Sequence, residues 1–289
     1  MPLDNILEKV KQLREVTGVG FKDCKNAIDE ANGDIEKSIE LLRKKGIAKA
    51  TKRMGRVASE GLVTICEKNN KFAITEINCE TDFVAKNEEF IKFSEEISQI
   101  TLLKSGIIDD VLNAEMENKK SVKNNLIDLI SKIGEKISIR RIESLQNNNY
   151  KNFSYIHSPT KKNVGKLGVI LSLETGKKIT EIQEFGKQLS MQIAATSPLA
   201  IDKEHLDKKI LEKEEEIIIE ELKNSGKDPK IINKIAIGKL NKFINENTLL
   251  NQEWIIESKK TVKDVLKEIS GPEKIVVKKF IRFKVGEGV

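Results

Sequence analysis

Aromatic side chains are scarce in this 289-residue chain, which carries ten Phe, two Tyr and one Trp. Its cores must then be aliphatic, beneath a surface supplied by the 33% of residues that are charged. With one Trp and two Tyr, the chain also lacks an aromatic platform on which nucleic-acid bases could stack. Cysteine is scarcer still: Cys24, Cys66 and Cys79 are odd in number, widely spaced and form no Cys-x-x-Cys pair. With only His157 and His205 to add, no compact four-ligand zinc pattern can be assembled. The start of the chain has no basic segment followed by an apolar one, as a secretory signal requires. Apolar runs are a handful of residues long, too short to span a bilayer. The expectation is a reduced, cytoplasmic chain that needs neither membrane, metal nor cofactor.

Charge of one sign is also missing as a bulk feature. The 51 basic and 45 acidic residues are largely interspersed, leaving a net charge of +6. A nucleic-acid-binding surface would gather its basic residues on one face. The mild bias fits an acidic protein partner or ordinary solubility.

Enzyme signatures are absent as well. No pair of glycines has the spacing of a phosphate-binding loop followed by lysine, and Gly18-Val19-Gly20 lacks the third glycine of a dinucleotide fingerprint. His157 has no neighbouring nucleophile in a recognisable elbow. Cys66 and Cys79 fall on adjacent expected strands and suit a core better than a reaction. No catalytic residue is assigned. A hydrolase built on Cys79 or His157 would lose turnover on thiol alkylation, and nothing in the spacing supports it. A nucleic-acid module would fit the positive charge and the basic connector and would show steep salt dependence, but it lacks the aromatic platform.

What is present is a mixed pattern with room for two or three domains. Residues 1–46 read as three short helices, with apolar stripes Ile6, Leu7, Val10 and Leu13, then Phe21, Cys24, Ala27, Ile28 and Ala31, then Ile35, Ile39 and Leu42. Gly33 stops the second helix and Asp34 caps the third. Two glycines give the turn at residues 17–20 its conformational freedom. A basic linker follows at 47–57. Residues 58–145 form a core subdomain: a hairpin turning at Lys68-Asn69-Asn70, a helix over about 87–103, another over about 121–133, and a strand over 137–145. The order then repeats in 146–202 and 248–289, with strands near 153–157 and 166–173, a helix over about 181–195, one over 262–269 and a last strand over 276–285. Hairpin then helix, twice, suggests two related α+β halves with small antiparallel sheets. Residues 203–247 read as an inserted antiparallel helical hairpin, broken at Ser225-Gly226-Lys227-Asp228-Pro229.

One segment stands apart. In Glu76-Ile77-Asn78-Cys79-Glu80-Thr81-Asp82-Phe83-Val84-Ala85-Lys86, strand alternation ends in an acid-aromatic pair, and helical spacing begins at Ala85. On one face of the strand lie Phe72, Ile74, Glu76 and Asn78, on the other Ala73, Thr75, Ile77 and Cys79. Two readings fit Asp82-Phe83 at such a corner. The ring wedges into another protein while the carboxylate competes for polar partners, or Phe83 packs beneath the corner of its own domain.

That segment resembles the internal signature of the elongation factor Ts family, the guanine-nucleotide exchange factors of the GTPase elongation factor Tu. A second motif, running from Leu13-Arg14-Glu15-Val16-Thr17-Gly18-Val19-Gly20 through Phe21-Lys22-Asp23-Cys24-Lys25-Asn26-Ala27-Ile28, resembles the family's N-terminal signature. The likeness continues to Gly288. It implies a ubiquitin-associated-like N-terminal module, a coiled-coil arm for the inserted hairpin, and exchange activity without covalent chemistry. By position it implies contacts with elongation factor Tu at Thr81, Asp82, Phe83 and Val84, at Ile133 and Gly134, at His157, at Val19, Gly20 and Lys25, and at Lys52 and Arg53. Ser158 stands where glycine is common and Arg53 where lysine is commoner, which keeps the charge and changes the geometry. The arm is a candidate for self-association. Many members continue past the equivalent of Val289 into a helix that touches the partner, so here the module and core are expected to supply the interface.

Overall fold

A computed structural model describes residues 3–223 and 229–289, with the side chains of 6–222 and 232–289. The fold is α+β. It opens with helices α1 (Leu3–Thr17), α2 (Phe21–Glu30) and α3 (Ile35–Arg53). Val10, Leu13, Cys24, Ala27, Ile28 and Leu42 close a small core between them. Leu7 and Phe21, expected on the inner stripes, instead stay 43% and 44% exposed, because so small a core is full before the stripe edges reach it. Gly33 reverses the chain at φ 85°, and the Asp34 carboxylate caps α3 by accepting the Lys37 N–H at 3.0 Å. Gly18 needs its left-handed φ of 66°; Gly20, at φ −60°, does not.

The expected linker at 47–57 is helical through Arg53, a correction to the sequence reading. Ala and Lys dominate that stretch and favour helix, and the small residues Gly46 and Ala50 lie one turn apart on a buried stripe. Gly46 permits close packing here rather than ending the helix. A Cβ there would meet the Ser131 hydroxyl oxygen at 2.5 Å.

Strands β1 (Glu60–Lys68) and β2 (Lys71–Cys79) form a hairpin. Its two turn residues, Asn69 and Asn70, both have positive φ, as a two-residue hairpin turn matched to strand twist requires. Helices α4 (Asp82–Ala85), α5 (Glu88–Leu103), α6 (Ile108–Asn113) and α7 (Val122–Ile133) lead to β3 (Ile137–Leu145), which pairs with β2. Asn87 caps α5 and Ser121 caps α7. The second half runs β4 (Tyr150–His157), β5 (Val164–Gly165), β6 (Leu167–Glu174), α8 (Ile179–Thr196), α9 (Lys208–Lys223), α10 (Pro229–Asn247), α11 (Val262–Ser270) and β7 (Val276–Lys284). Helices α9 and α10 pack through Ile218, Leu222 and Ala236 and pair Glu221 with Lys239. Residues 224–228, where the sequence places the break between them, lie outside the described residues.

The sheets run β3-β2-β1-β5 and β4-β6-β7. In both halves the closing strand pairs with the second strand of the hairpin, β3 on β2 and β7 on β6. Both closing strands carry one extra residue: Arg140 is skipped opposite Glu76/Ile77, and Lys278 opposite Ser172/Leu173. The sheets pack face to face through Val63, Ile65, Phe72, Ile74 and Leu145 against Ile170, Ile281 and Phe283. Helices α5 and α7 cover the outer face of the first sheet, around Ile77, Phe90, Ile97 and Ile130. Helices α8 and α11 cover the second, around Val169, Leu171, Ile182 and Val265. Strand β2 is therefore buried on both faces.

Glu76 lies in that inter-sheet layer and is fully buried. Burial alone would raise its carboxyl pKa. Hydrogen bonds from Arg141, from the Gly286 N–H at 3.0 Å and from Arg140 at 2.9 Å outweigh it, and hold the group below the usual range. The bulge explains how two consecutive arginines reach one carboxylate, since both oppose Glu76 across the ladder.

Candidate interaction surface at the corner after the second strand

The chain leaves β2 at Cys79 and turns through Glu80 into the single helical turn α4. Thr81 is extended at φ −126° and caps that turn, its hydroxyl accepting the Val84 N–H at 3.4 Å. Val84 and Ala85 point inward, 8% and 2% exposed, and helical geometry then turns Phe83 outward. The ring is 79% exposed. Phe83 therefore does not pack beneath its own corner. Beside it Asp82 accepts a hydrogen bond from Lys86 Nζ at 2.7 Å. That contact, with Lys166 nearby, lowers the Asp82 carboxyl, and it raises the Lys86 ammonium in return.

The corner is gripped from the end of α7. Gly134 ends that helix at φ 91° and delivers Glu135, whose carboxylate accepts the N–H groups of Glu80 at 3.1 Å and Thr81 at 3.0 Å. It also accepts the Thr81 hydroxyl at 2.7 Å. In return the Glu80 carboxylate accepts the Lys136 N–H at 2.6 Å, which, with Arg56 at 3.2 Å, holds its pKa down. Lys136 Nζ donates to the Arg56 carbonyl at 2.7 Å, and Arg53 donates to the Ile130 carbonyl at 2.9 Å.

The expected site residues are thus brought together in part. Thr81, Asp82, Phe83, Gly134 and Arg53 share one surface, with Ile133 half-buried at its edge. Val84, expected at the interface, belongs to the core instead. The turn carrying Val19 and Gly20 sits beside α7, where a Cβ on Gly18 would meet the Lys132 side chain at 2.9 Å. Lys25 and Lys52 are exposed, without ion pairs among the described residues. His157 is exposed at the end of β4, 3.1 Å from the Tyr155 hydroxyl, with no contact to the corner. Lys166, which follows β5, pairs with Glu60 at the start of β1 at 2.5 Å. Met54 and Val57, 53% and 73% exposed at the end of the N-terminal segment, add apolar surface that sequence reading missed.

Two chemical points bear on activity. Burial, then the nearby charge of Glu135, pushes the Cys79 thiol up to about 12, so it stays protonated and unreactive. Among the described residues no group of three or more His, Cys, Asp or Glu side chains could hold a metal ion. No described helix is long and apolar enough to cross a membrane.

An outward aromatic on a single turn braced by two loops gives the corner a fixed apolar projection, with no catalytic group assigned beside it. Residues 80–287 match the model of the family described as elongation factor TS. A relative from Clostridium kluyveri, elongation factor Ts, is 43% identical across 98% of this chain and 93% of its own length. Relatives of the same description from Methylorubrum populi and Clostridium botulinum are 40% and 39% identical, over 97% and 98% of this chain and 92% and 93% of their own. The chain belongs to the elongation factor Ts family.

Proposed function

We propose that this protein binds elongation factor Tu carrying GDP and speeds GDP release, holding the nucleotide-free GTPase until GTP enters. The observation that carries the reading is Phe83, a large aromatic ring 79% exposed on a turn that cannot easily yield. An exchange factor works by linkage: it binds the empty GTPase more tightly than the loaded one, and each ligand weakens the other by the same factor. A GTPase grips its nucleotide through backbone amides and a magnesium ion between phosphate oxygens, so displacing either support loosens the ligand. In this reading the Phe83 ring enters the partner's packed region beside the magnesium site. Asp82, already ionised and held by Lys86, brings negative charge to the polar network there.

Thr81, Ile133, Gly134 and Arg53 form the rim around the wedge, while Val84 anchors it from within. Val19, Gly20, Lys25 and Lys52 supply a second contact from the N-terminal module, which docks against the GTPase. His157 supplies a third from the other half of the body. The chain acts without covalent chemistry. The experiment is release of a fluorescent GDP analogue from elongation factor Tu, with and without the protein. Catalytic acceleration at substoichiometric protein is expected, and an unchanged rate would refute the reading.

A further inference from the structure

A four-residue helix does not sustain itself. Fixing a first turn costs more conformational entropy than its single hydrogen bond returns. Here α4 is held inside by Val84 and Ala85 and at its start by Thr81. Thr81 is itself set by a residue far along the chain. Its hydroxyl donates to Glu135 at 2.7 Å, which turns an oxygen lone pair toward the Val84 N–H. The other Glu135 oxygen accepts both backbone N–H groups leading into the turn. The Glu80 carboxylate answers by accepting the Lys136 N–H. Two loops are therefore stitched in both directions by carboxylate-to-backbone bonds, of the charge-assisted and stronger kind. The stitch holds the start of the turn that carries the exposed ring, through Thr81 on the rim, and Glu135 itself is not among the contact residues assigned above.

We propose that Glu135 is the positioning residue for nucleotide release: its carboxylate sets the Thr81 cap and so aims the Phe83 ring before the partner arrives. This rests on the exchange reading above. With the ring pre-aimed, no ordering cost is met at each encounter. With the stitch gone, α4 frays and the ring samples directions that do not enter the partner. Broad docking through the rim and the N-terminal module persists. The loss therefore falls on the maximal rate of release rather than on the concentration for half-maximal effect.

The test uses the full chain and its Glu135→Ala, Phe83→Ala and double variants, with release of a fluorescent GDP analogue measured against protein concentration. Glu135→Ala is expected to lower the maximal rate roughly tenfold, consistent with the cost of small misplacements, and to change the half-saturating concentration less than about threefold. The double variant should be no slower than Phe83→Ala, because the carboxylate acts through the ring. Amide hydrogen exchange over residues 80–86 should quicken in Glu135→Ala while the amides of β1 and β2 keep their protection. Thr81→Val, which keeps both backbone bonds to Glu135 and removes only the hydroxyl link, should show a smaller loss of the same kind, and decides the matter if Glu135→Ala does not fold. A wild-type maximal rate in these variants, losses that multiply in the double variant, or unchanged exchange at the corner would each overturn the inference. Failure of the exchange reading looks different: the unaltered protein itself would then leave GDP release unchanged.

Discussion

Phe83 and Val84 are consecutive in the chain and opposite in environment, the first 79% exposed and the second 8%. One turn of helix sets the difference: the valine fills the core beneath the corner, and the ring is left standing in solvent.

That contrast separates function from stability. Phe83→Ala removes exposed surface, so its effect on unfolding should stay within about 0.5 kcal/mol while GDP release slows by roughly tenfold or more. Val84→Ala removes buried methyl groups and should cost about 2 kcal/mol. Urea midpoints for both variants, beside release kinetics for the first, check the pair. A Phe83→Ala protein with a normal release rate would leave the ring without a role.

The contact of Gly46 with Ser131 supports the N-terminal module. A Cβ at 46 would lie 2.5 Å from the serine hydroxyl, so the smallest residue allows α3 to lie on α7. Arg43 adds a 3.3 Å hydrogen bond to Asn124 along the same seam. Gly46→Leu keeps the helix, and even improves its propensity, yet cannot keep the seam. The expected outcome is a folded protein whose α3 amides lose protection and whose half-saturating concentration for exchange rises. Removing residues 1–46 is a poorer test, since the cut would divide α3 and expose Ala50; a cut after residue 57 leaves the body's own elements whole.

Much of this architecture was legible because local chemistry dictated it. Asn69-Asn70 as a turn and Asp34 as a cap follow from their own side chains and stand where the pattern places them, while Asn87 and Ser121, read only as approximate helix starts, prove to be the caps of α5 and α7. Alternation along β2 also separated its two faces correctly, yet it could not say what covered each. A glutamate among Phe72 and Ile74 reads as a solvent-facing position until a second sheet is laid over it. The corner motif announced Asp82 and Phe83 through its resemblance to a family. Glu135, Arg56 and Lys166 had no such signal, because their meaning lies in loops that meet only after folding. The extension of α3 past residue 46 was hidden for the same reason, since what Gly46 packs on is a serine of another helix.

Glu76 gives the fold a dependence on pH whose direction follows from its environment. Its folded carboxyl sits below the ordinary glutamate value of about 4.3, so the unfolded chain binds its proton first as pH falls. The stabilisation is complete above that value and is lost as pH drops through it toward the folded pKa. Glu76→Gln should therefore be less stable than wild type at pH 7, with the gap closing below pH of about 4. Removal of the charge takes from Arg140 and Arg141 the buried carboxylate they share, at a cost of about 3 kcal/mol, the low end for a broken buried pair because both arginines reach solvent and Arg141 keeps Glu287 at 3.9 Å. Urea midpoints for the two proteins at pH 7 and at successive steps below pH of about 4 test this. A gap that stays constant as the pH falls would mean that ionisation of Glu76 is not what stabilises the fold.

The layer between the two sheets can be probed without touching the corner. Gly168 lies on the inner face of β6, where a Cβ would stand 2.8 Å from a Val63 methyl, 2.9 Å from Ile156 Cδ1 and 3.3 Å from Ile74 Cδ1. The two isoleucine Cδ1 atoms end flexible side chains, but the Val63 methyl belongs to a stiff, fully buried β-branched residue, so alanine forces a local shift, at a cost of about 1–3 kcal/mol typical of overpacking. Valine at the same place adds two more methyl groups to a full layer and forces the sheets apart. Gly168→Ala should lower the urea midpoint yet release GDP at the wild-type rate in the absence of denaturant, since the ring, its cap and Glu135 all lie on the first half. A release defect in this variant while it remains folded would mean that the spacing of the sheets itself sets the direction in which Phe83 points.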